Sequence, residues 1–159
     1  MNRNLIAGWS AIVCTGMVLL SACQSSPGNV YTPGLGEIMG YLQVRHAKLW
    51  FAGEKENWQL ADYELGELQE GLDDIPKFHP IHEKVPMPTD KAIRQFMDQP
   101  LRQLRDAIAQ KNVSAFASTF ETVTASCNAC HTQCNFGFIH IQKPNGASPY
   151  SNQDYAYKP

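Results

Sequence analysis

A continuous apolar stripe toward the C-terminus constrains the fold of this chain more than any other feature. Its members recur at alternating spacings of three and four residues: Val113, Phe116, Phe120, Val123, Cys127 and Cys130. This spacing predicts an amphipathic helix with one buried face. Asn112 precedes the stripe and is a favourable N-cap, and Gly137 is expected to end the helix. The two cysteines are therefore expected to face the interior of the fold.

The same two cysteines belong to a C-x-x-C-H sequence, Cys127-Asn128-Ala129-Cys130-His131. This spacing is typical of c-type haem attachment. Each thiol can form a thioether with one vinyl group of the haem, and the histidine that follows can bind the iron from one face. The sequence therefore predicts one covalent haem c, attached to Cys127 and Cys130, with His131 as the proximal iron ligand.

Cys134 leaves two other interpretations of this cluster open. Together with Cys127, Cys130 and His131 it could form a compact metal site. Structural zinc sites usually combine two ligand pairs across a longer loop, and iron–sulfur clusters normally use four thiolates. A redox-active dithiol is expected within a βαβ pattern, which this sequence lacks. A structural zinc or dithiol protein, with Cys134 otherwise a packing residue, remains the non-haem alternative.

The N-terminus has the pattern of an export signal. A short start with Arg3 precedes an uncharged, mostly apolar run from Leu5 to Leu20, which is short for a membrane span. The run ends in Leu20-Ser21-Ala22-Cys23, which resembles the lipobox of bacterial lipoproteins. We therefore expect residues 1–22 to be a signal peptide, Cys23 to carry lipid, and residues 23–33 to be a tether.

Export agrees with the haem motif, because bacterial c-type haem is attached outside the cytoplasmic membrane. Gln24 follows the lipidated cysteine, where an aspartate is the usual inner-membrane retention signal, so anchoring to the outer membrane facing the periplasm is expected. The formal net charge is −2 at pH 7, and no basic patch with interleaved aromatic residues occurs. Nucleic acid is therefore not an expected partner, and membrane contact is expected through the lipid alone.

Two earlier stretches also have helical periodicity. The first begins at Leu35 and is expected to end at Gly53, and the second is expected to begin after the N-cap residue Asn57. The predicted inward residues are Leu35, Ile38, Met39, Leu42, His46, Leu49 and Trp50 in the first stretch, and Trp58, Ala61, Leu65, Leu68 and Leu72 in the second.

A proline-rich segment separates these stretches from a third. Four prolines between Asp73 and Pro88 predict a long loop. Thr89 is predicted to cap the third helix, which Pro100 should kink or split. Its predicted inward residues are Ile93, Phe96, Met97, Leu101, Leu104 and Ile108. Residues 34–137 are therefore predicted to form an all-α, antiparallel four-helix bundle, followed by an irregular aromatic and proline-rich tail at residues 138–159.

Haem near the end of the fourth helix of such a bundle resembles the class II c-type cytochromes, which comprise cytochrome c-prime and its low-spin, methionine-ligated relatives. The resemblance covers residues 35–136 and is one of architecture rather than of continuous sequence. It implies that His131 is the proximal ligand and that a methionine near the start of the first helix is the sixth ligand. Met39 matches that place, although Leu35 stands where these relatives often carry an arginine, and the long tail is a second departure.

His46 and His140 are alternatives to Met39, and an open sixth site is another. His46 lies seven residues beyond Met39. This places it about 10 Å further along the helix axis, at the depth of Val123 in the fourth helix. His79, His82 and Glu83 are interpreted as polar surface residues of the proline-rich loop.

These expectations describe a lipid-anchored, periplasmic mono-haem cytochrome that transfers single electrons to and from an unidentified redox partner. The main alternative is a gas-binding protein like cytochrome c-prime, with an open distal site for nitric oxide or carbon monoxide. The sequence contains no clear acid–base pair or nucleophile constellation, so no enzymatic activity is expected. Class II relatives often dimerise, which makes a homodimer one option.

Overall fold

The computed structural model describes residues 31–159, which contain four α-helices and no β-strand. These are α1 (Leu35–Glu54), α2 (Trp58–Phe78), α3 (Thr89–Ala109) and α4 (Val113–Gln133). The predicted all-α bundle is confirmed for this part of the chain. None of the helices among these residues is long and apolar enough to cross a membrane. The expected signal peptide, Cys23 and most of the tether lie outside the described residues.

The helices pack around one apolar core. α1 packs most extensively against α2, and α3 against α4, while contacts of α2 with α3 and of α1 with α4 close the bundle. Most of the predicted inward residues lie in this core. Its fully buried large side chains include Leu49, Leu65, Leu104, Phe116, Phe120 and Val123. The periodicity of the sequence therefore identifies the core faces of the four helices. The exception is Val113 at the start of α4, which was predicted to face inward and is 46 % exposed.

Two of the predicted N-caps are confirmed. The Oδ1 of Asn57 accepts a hydrogen bond from the Leu60 amide at 3.1 Å, and that of Asn112 accepts one from the Ala115 amide at 3.0 Å. The prediction for Thr89 is wrong, because Thr89 is the first residue inside α3. Its buried hydroxyl donates to the carbonyl of His79 at 2.8 Å. Thr89 therefore fastens the two ends of the α2–α3 loop together.

Three helices are followed by a residue that has a positive φ and is not glycine. Glu56 (54°), Lys111 (53°) and Asn135 (64°) follow the ends of α1, α3 and α4. After each of them, the next amide donates to a carbonyl five residues earlier, at 2.9, 3.1 and 2.7 Å, which is the Schellman arrangement. The predictions that Gly53 and Gly137 end their helices are therefore wrong. Gly53 lies inside α1, and Gly137 lies beyond the end of α4.

The two helical prolines are tolerated. α2 continues through Pro76, so the predicted loop is wrong in its first part and covers residues 79–88 only. Pro76 removes one amide donor near the end of the helix. Its neighbour Ile75 is buried in the core, and the Ile75 carbonyl accepts a hydrogen bond from the His79 amide. α3 is one helix through Pro100, so it is not split.

The tail returns along the bundle without a helix or strand of its own at residues 134–159. Tyr155 is buried against Phe51, with 5.6 Å between the ring centroids. The side-chain amide of Asn57 donates to the Tyr157 carbonyl at 2.6 Å. The tail therefore reaches from the end of α4 to the start of α2.

Gly53 of α1 lies directly against the Phe116 ring of α4. A Cβ added there would lie 2.1 Å from the Cζ of Phe116. The Phe116 ring is 1 % exposed and contacts the rings of Trp50, Trp58 and Phe120, so it has little room to move. Glycine is therefore required at position 53 by packing rather than by backbone conformation.

We expect Gly53→Ala to destabilise the protein by about 1–3 kcal/mol, because the added methyl group overpacks the contact with Phe116. The matched control is Gly66→Ala in α2, where an added Cβ would have no neighbour within 4 Å. That change should be neutral or stabilise by roughly 0.5–1 kcal/mol. Urea unfolding of both variants measures the difference. Equal effects of the two substitutions would contradict the close approach.

Candidate functional site

One end of the bundle contains a cavity of about 430 Å³. It lies where α1 and α3 begin and α2 and α4 end, and it is lined by Cys127, Cys130 and His131 from α4 and by Met39 and His46 from α1. Most of the remaining lining is apolar: Leu35, Leu42, Leu68, Leu72, Ile75, Ile93, Met97, Phe136, Ile139 and Ile141. Its volume and lining are those of a small-molecule or cofactor site. The fold thus brings the whole motif and both predicted helix-1 ligands to one cavity.

His131 is held in the tautomer that suits a metal ligand. Its Nδ1 lies 3.1 Å from the carbonyl oxygen of Ile139. A carbonyl only accepts, so Nδ1 carries a proton and donates it, which leaves Nε2 as the ring nitrogen without this engagement. Histidines that bind metals typically donate their other ring N–H in this way. Among the residues that line the cavity, His131 therefore has the hydrogen bond that is typical of a metal-binding imidazole.

The backbone that follows His131 brings Ile139 into place. The Phe136 amide donates to the His131 carbonyl at 2.7 Å, which turns the chain at the end of α4. The Asn128 side chain then forms two hydrogen bonds with the backbone of Ile141, at 2.7 and 2.8 Å. Sequence reasoning missed both Asn128 and Ile139. No periodic pattern links Asn128 to Ile141, thirteen positions later, or His131 to the backbone carbonyl of Ile139.

The α2–α3 loop forms part of the cavity rim. Glu83 is exposed and His82 is half-buried, and both residues line the cavity. The ring centroids of His82 and Phe136 are 6.0 Å apart. Both residues therefore belong to the cavity rim, which their interpretation as polar surface residues of the loop did not include. Asn135 ties this loop to the end of α4, because its side-chain amide donates to the Lys84 carbonyl at 2.9 Å.

The remaining loop histidine lies outside the cavity lining. His79 has its Nε2 2.8 Å from the carbonyl oxygen of Pro33, to which it donates, and it is half-buried. It connects the end of α2 to the segment that precedes α1. His79 is thus occupied in holding the fold.

The thiols of Cys127 and Cys130 have raised pKa values. Burial raises the pKa of Cys127 to about 11. Burial and the neighbouring Cys134 thiol, 3.9 Å away, raise the pKa of Cys130 to about 12. A redox-active dithiol requires a lowered thiol pKa, so this environment gives the dithiol interpretation no support. Cys134 is buried, in keeping with a packing role.

The compact metal cluster receives no support from the described residues either. Within residues 31–159, no group of three or more histidine, cysteine, aspartate or glutamate side chains is arranged to hold a metal ion. A haem iron needs only its axial side chains from the protein, since the macrocycle supplies the other donors. The donor set of the cavity, which is two thiols and one oriented imidazole in an apolar wall, fits haem c.

His46 is buried and hydrogen-bonded inside the bundle. Its Nε2 lies 2.8 Å from the Oγ1 of Thr124, and that hydroxyl donates its one proton to the Phe120 carbonyl at 3.0 Å. His46 therefore donates from Nε2 to Thr124, beside Val123 as the helix geometry predicts. This contact favours a core role for His46 over iron ligation.

Two methionines line the cavity from different helices. Met39 of α1 is half-buried, as expected for a side chain that reaches the cavity, and Met97 of α3 is buried. His140, the other alternative, is exposed and does not belong to the lining. Met97 is a thioether that the sequence identified only as a core residue.

Comparisons with models of protein families, with curated proteins and with solved structures find no match for this chain. The site is therefore interpreted from its own geometry.

His46 makes stability depend on pH in a defined window. Burial lowers its pKa from 6.5 to about 4. Between these values the unfolded chain binds a proton that the folded protein does not, so stability falls as pH decreases from about 6.5 to about 4. We expect His46 to lower the free energy of unfolding by up to about 3 kcal/mol as the pH decreases from about 6.5 to about 4.

The measurement is the free energy of unfolding in urea at pH 7 and at pH 4. The decrease should be smaller in His46→Gln than in the wild type, because glutamine can donate to Thr124 without titrating. His140→Gln, at an exposed position, is the matched control for the loss of one imidazole. The same decrease in wild type and His46→Gln would show that His46 is not buried in its neutral form.

Proposed function

We propose that this protein is a mono-haem c-type cytochrome that transfers single electrons. The observation that supports this most is the His131 tautomer within the shared cavity. Cys127 and Cys130 line the same cavity from the same helix face, and the imidazole nearby has its Nδ1 proton engaged by the Ile139 carbonyl. Attachment chemistry and an oriented iron ligand therefore occur together in an apolar enclosure.

Each residue has a distinct role in this proposal. The thiols of Cys127 and Cys130 would form the thioethers, His131 would hold the iron through Nε2, and Met39 would be the second protein ligand of the iron. When bound, haem c supplies an iron that cycles between ferrous and ferric states. The apolar wall excludes water, and a methionine opposite a histidine favours a relatively high potential. Ligands held on packed helices keep rearrangement small during electron transfer.

A gas-binding protein is the second candidate. The wall that α1 and α2 contribute includes five large aliphatic residues and two polar ones: Leu35, Leu42, Leu68, Leu72 and Ile75, with Gln43 and His46. If Met39 only packs against this wall, the distal side is open and apolar, which suits nitric oxide or carbon monoxide. The two candidates therefore differ in a single contact, between the Met39 sulfur and the iron.

Replacement of Met39 distinguishes these candidates. We expect the reduced wild type to be low-spin and unchanged by carbon monoxide, and Met39→Ala to bind carbon monoxide with a shifted absorption spectrum. Met97→Ala is the matched control, since it removes a thioether from the same cavity on another helix. A wild type that binds carbon monoxide directly would favour the gas-binding protein. An open site in Met97→Ala alone would reassign the ligand to Met97.

We also propose that Cys23 carries a lipid that anchors the protein to the outer membrane facing the periplasm. The support is the lipobox-like sequence alone, since Cys23 lies outside the described residues. Incorporation of a radiolabelled fatty acid into the protein tests this directly, and Cys23→Ser should abolish it. Cys14→Ser, within the expected signal peptide, is the control and should incorporate the label like the wild type. A Cys23→Ser protein that still incorporates the label would contradict lipid attachment at this residue.

A further inference from the structure

We infer that Asn128 is a positioning residue for His131: it holds the tail segment of residues 139–141 so that the Ile139 carbonyl accepts the His131 Nδ1 proton, which lowers the redox potential of the iron. This inference rests on the proposed function. It concerns an interior position of the C-x-x-C-H sequence and a backbone carbonyl, neither of which touches the iron.

The side chain of Asn128 forms a two-point contact with the backbone of Ile141, here called the Asn128 clamp. The Ile141 amide donates to Oδ1 at 2.7 Å, and Nδ2 donates to the Ile141 carbonyl at 2.8 Å. One primary amide thus satisfies both backbone groups of one residue. An aspartate would lack the donor and an aliphatic residue would lack both groups. The clamp therefore depends on the amide side chain at position 128.

The tail residues next to His131 are largely exposed to solvent. Phe138 is 81 % exposed and Ile139 is 41 % exposed, so apolar burial contributes little near His131. Further along, Lys143 pairs with Glu121 and lies 4.9 Å from the Trp50 ring, which fixes the far end of the segment. Close to His131, two contacts fix the backbone: the Asn128 clamp, and a turn in which the Ile139 amide donates to the Phe136 carbonyl at 2.8 Å.

The Asn128 clamp and the His131 hydrogen bond involve neighbouring residues of α4 and neighbouring residues of the tail. Asn128 and His131 are three residues apart on α4 and share a face. Their partners, Ile141 and Ile139, are two residues apart in the tail. The His131 Nδ1 lies 3.1 Å from the Ile139 carbonyl, so a small displacement of the segment removes this hydrogen bond. Loss of the clamp is therefore expected to weaken the hydrogen bond between the imidazole and its acceptor.

The hydrogen bond at Nδ1 of His131 affects how strongly the imidazole binds a metal. An acceptor on Nδ1–H increases the electron density of the imidazole and makes Nε2 a stronger donor to the iron. A stronger donor stabilises the ferric state more than the ferrous state, which lowers the potential. Without the clamp the potential should become more positive. A tail that serves only to stabilise the fold would leave the potential unchanged.

The experiment uses the haem-loaded, full-length protein and two substitutions, Asn128→Ala and the nearly isosteric Asn128→Leu. Each is examined by spectroelectrochemical titration of the midpoint potential and by hydrogen exchange of the Ile141 amide. Both variants should show a more positive potential and roughly tenfold faster exchange, as for the loss of one or two hydrogen bonds. Thr122→Ala is the control, because this exposed hydroxyl of α4 bonds only to the Ser118 carbonyl, and both readouts should match the wild type.

The outcomes separate the inference from the function on which it rests. Faster exchange with an unchanged potential would make Asn128 a structural fastening and overturn the inference. Unchanged exchange would overturn the clamp itself. If one variant fails to mature, the other still decides between these results. A wild type without covalent haem would instead overturn the proposed function, and this inference with it.

Discussion

Packing of α4 against α3 and α1 determines where the motif residues of the candidate site lie. On the α1 side, Phe116 fits against Gly53, and Phe120 contacts Trp50 and His46, with ring centroids 5.1 and 4.5 Å apart. Together with the more extensive packing against α3, these contacts fix the depth and rotation of α4 in the bundle. Because the cysteines continue the same apolar face, this rotation turns them toward the cavity. A different rotation of α4 would leave the motif on the surface.

The site is completed by segments that are not helical. The turn after α4 uses Asn135 in a left-handed conformation, and the α2–α3 loop brings His82 to the cavity rim. The tail adds the carbonyl of Ile139 beside His131. The helices therefore provide the attachment groups and the core, while turns, loop and tail provide the groups that orient the histidine and cover the cavity.

The parts of this arrangement that sequence reasoning predicts are those set by side-chain burial. Periodicity at three and four residues identifies the four helices and their inward faces, since each apolar face must be covered by another. The helix depth of His46 beside Val123 follows from the rise per residue alone. Fold and cavity membership of Cys127, Cys130, His131 and Met39 are thus accessible from the sequence.

The parts that sequence reasoning misses depend on backbone geometry and on distant contacts. Glu56 and Asn135 adopt the positive φ at the two helix ends where Gly53 and Gly137 were expected, and α2 continues through Pro76. Neither outcome is encoded in local propensity, since tertiary packing overrides it. The Asn128 contact joins residues thirteen positions apart through the backbone of one partner, so the side chain of that partner carries no signal.

The most direct test of the haem assignment is the absorption spectrum of the denatured protein after expression with a c-type haem maturation system. Denaturation removes any haem that is bound without covalent attachment. We expect the spectrum of one covalent haem per chain, with the thiols of Cys127 and Cys130 unavailable to alkylation. A colourless protein in which both thiols react with the alkylating reagent would contradict the cytochrome assignment.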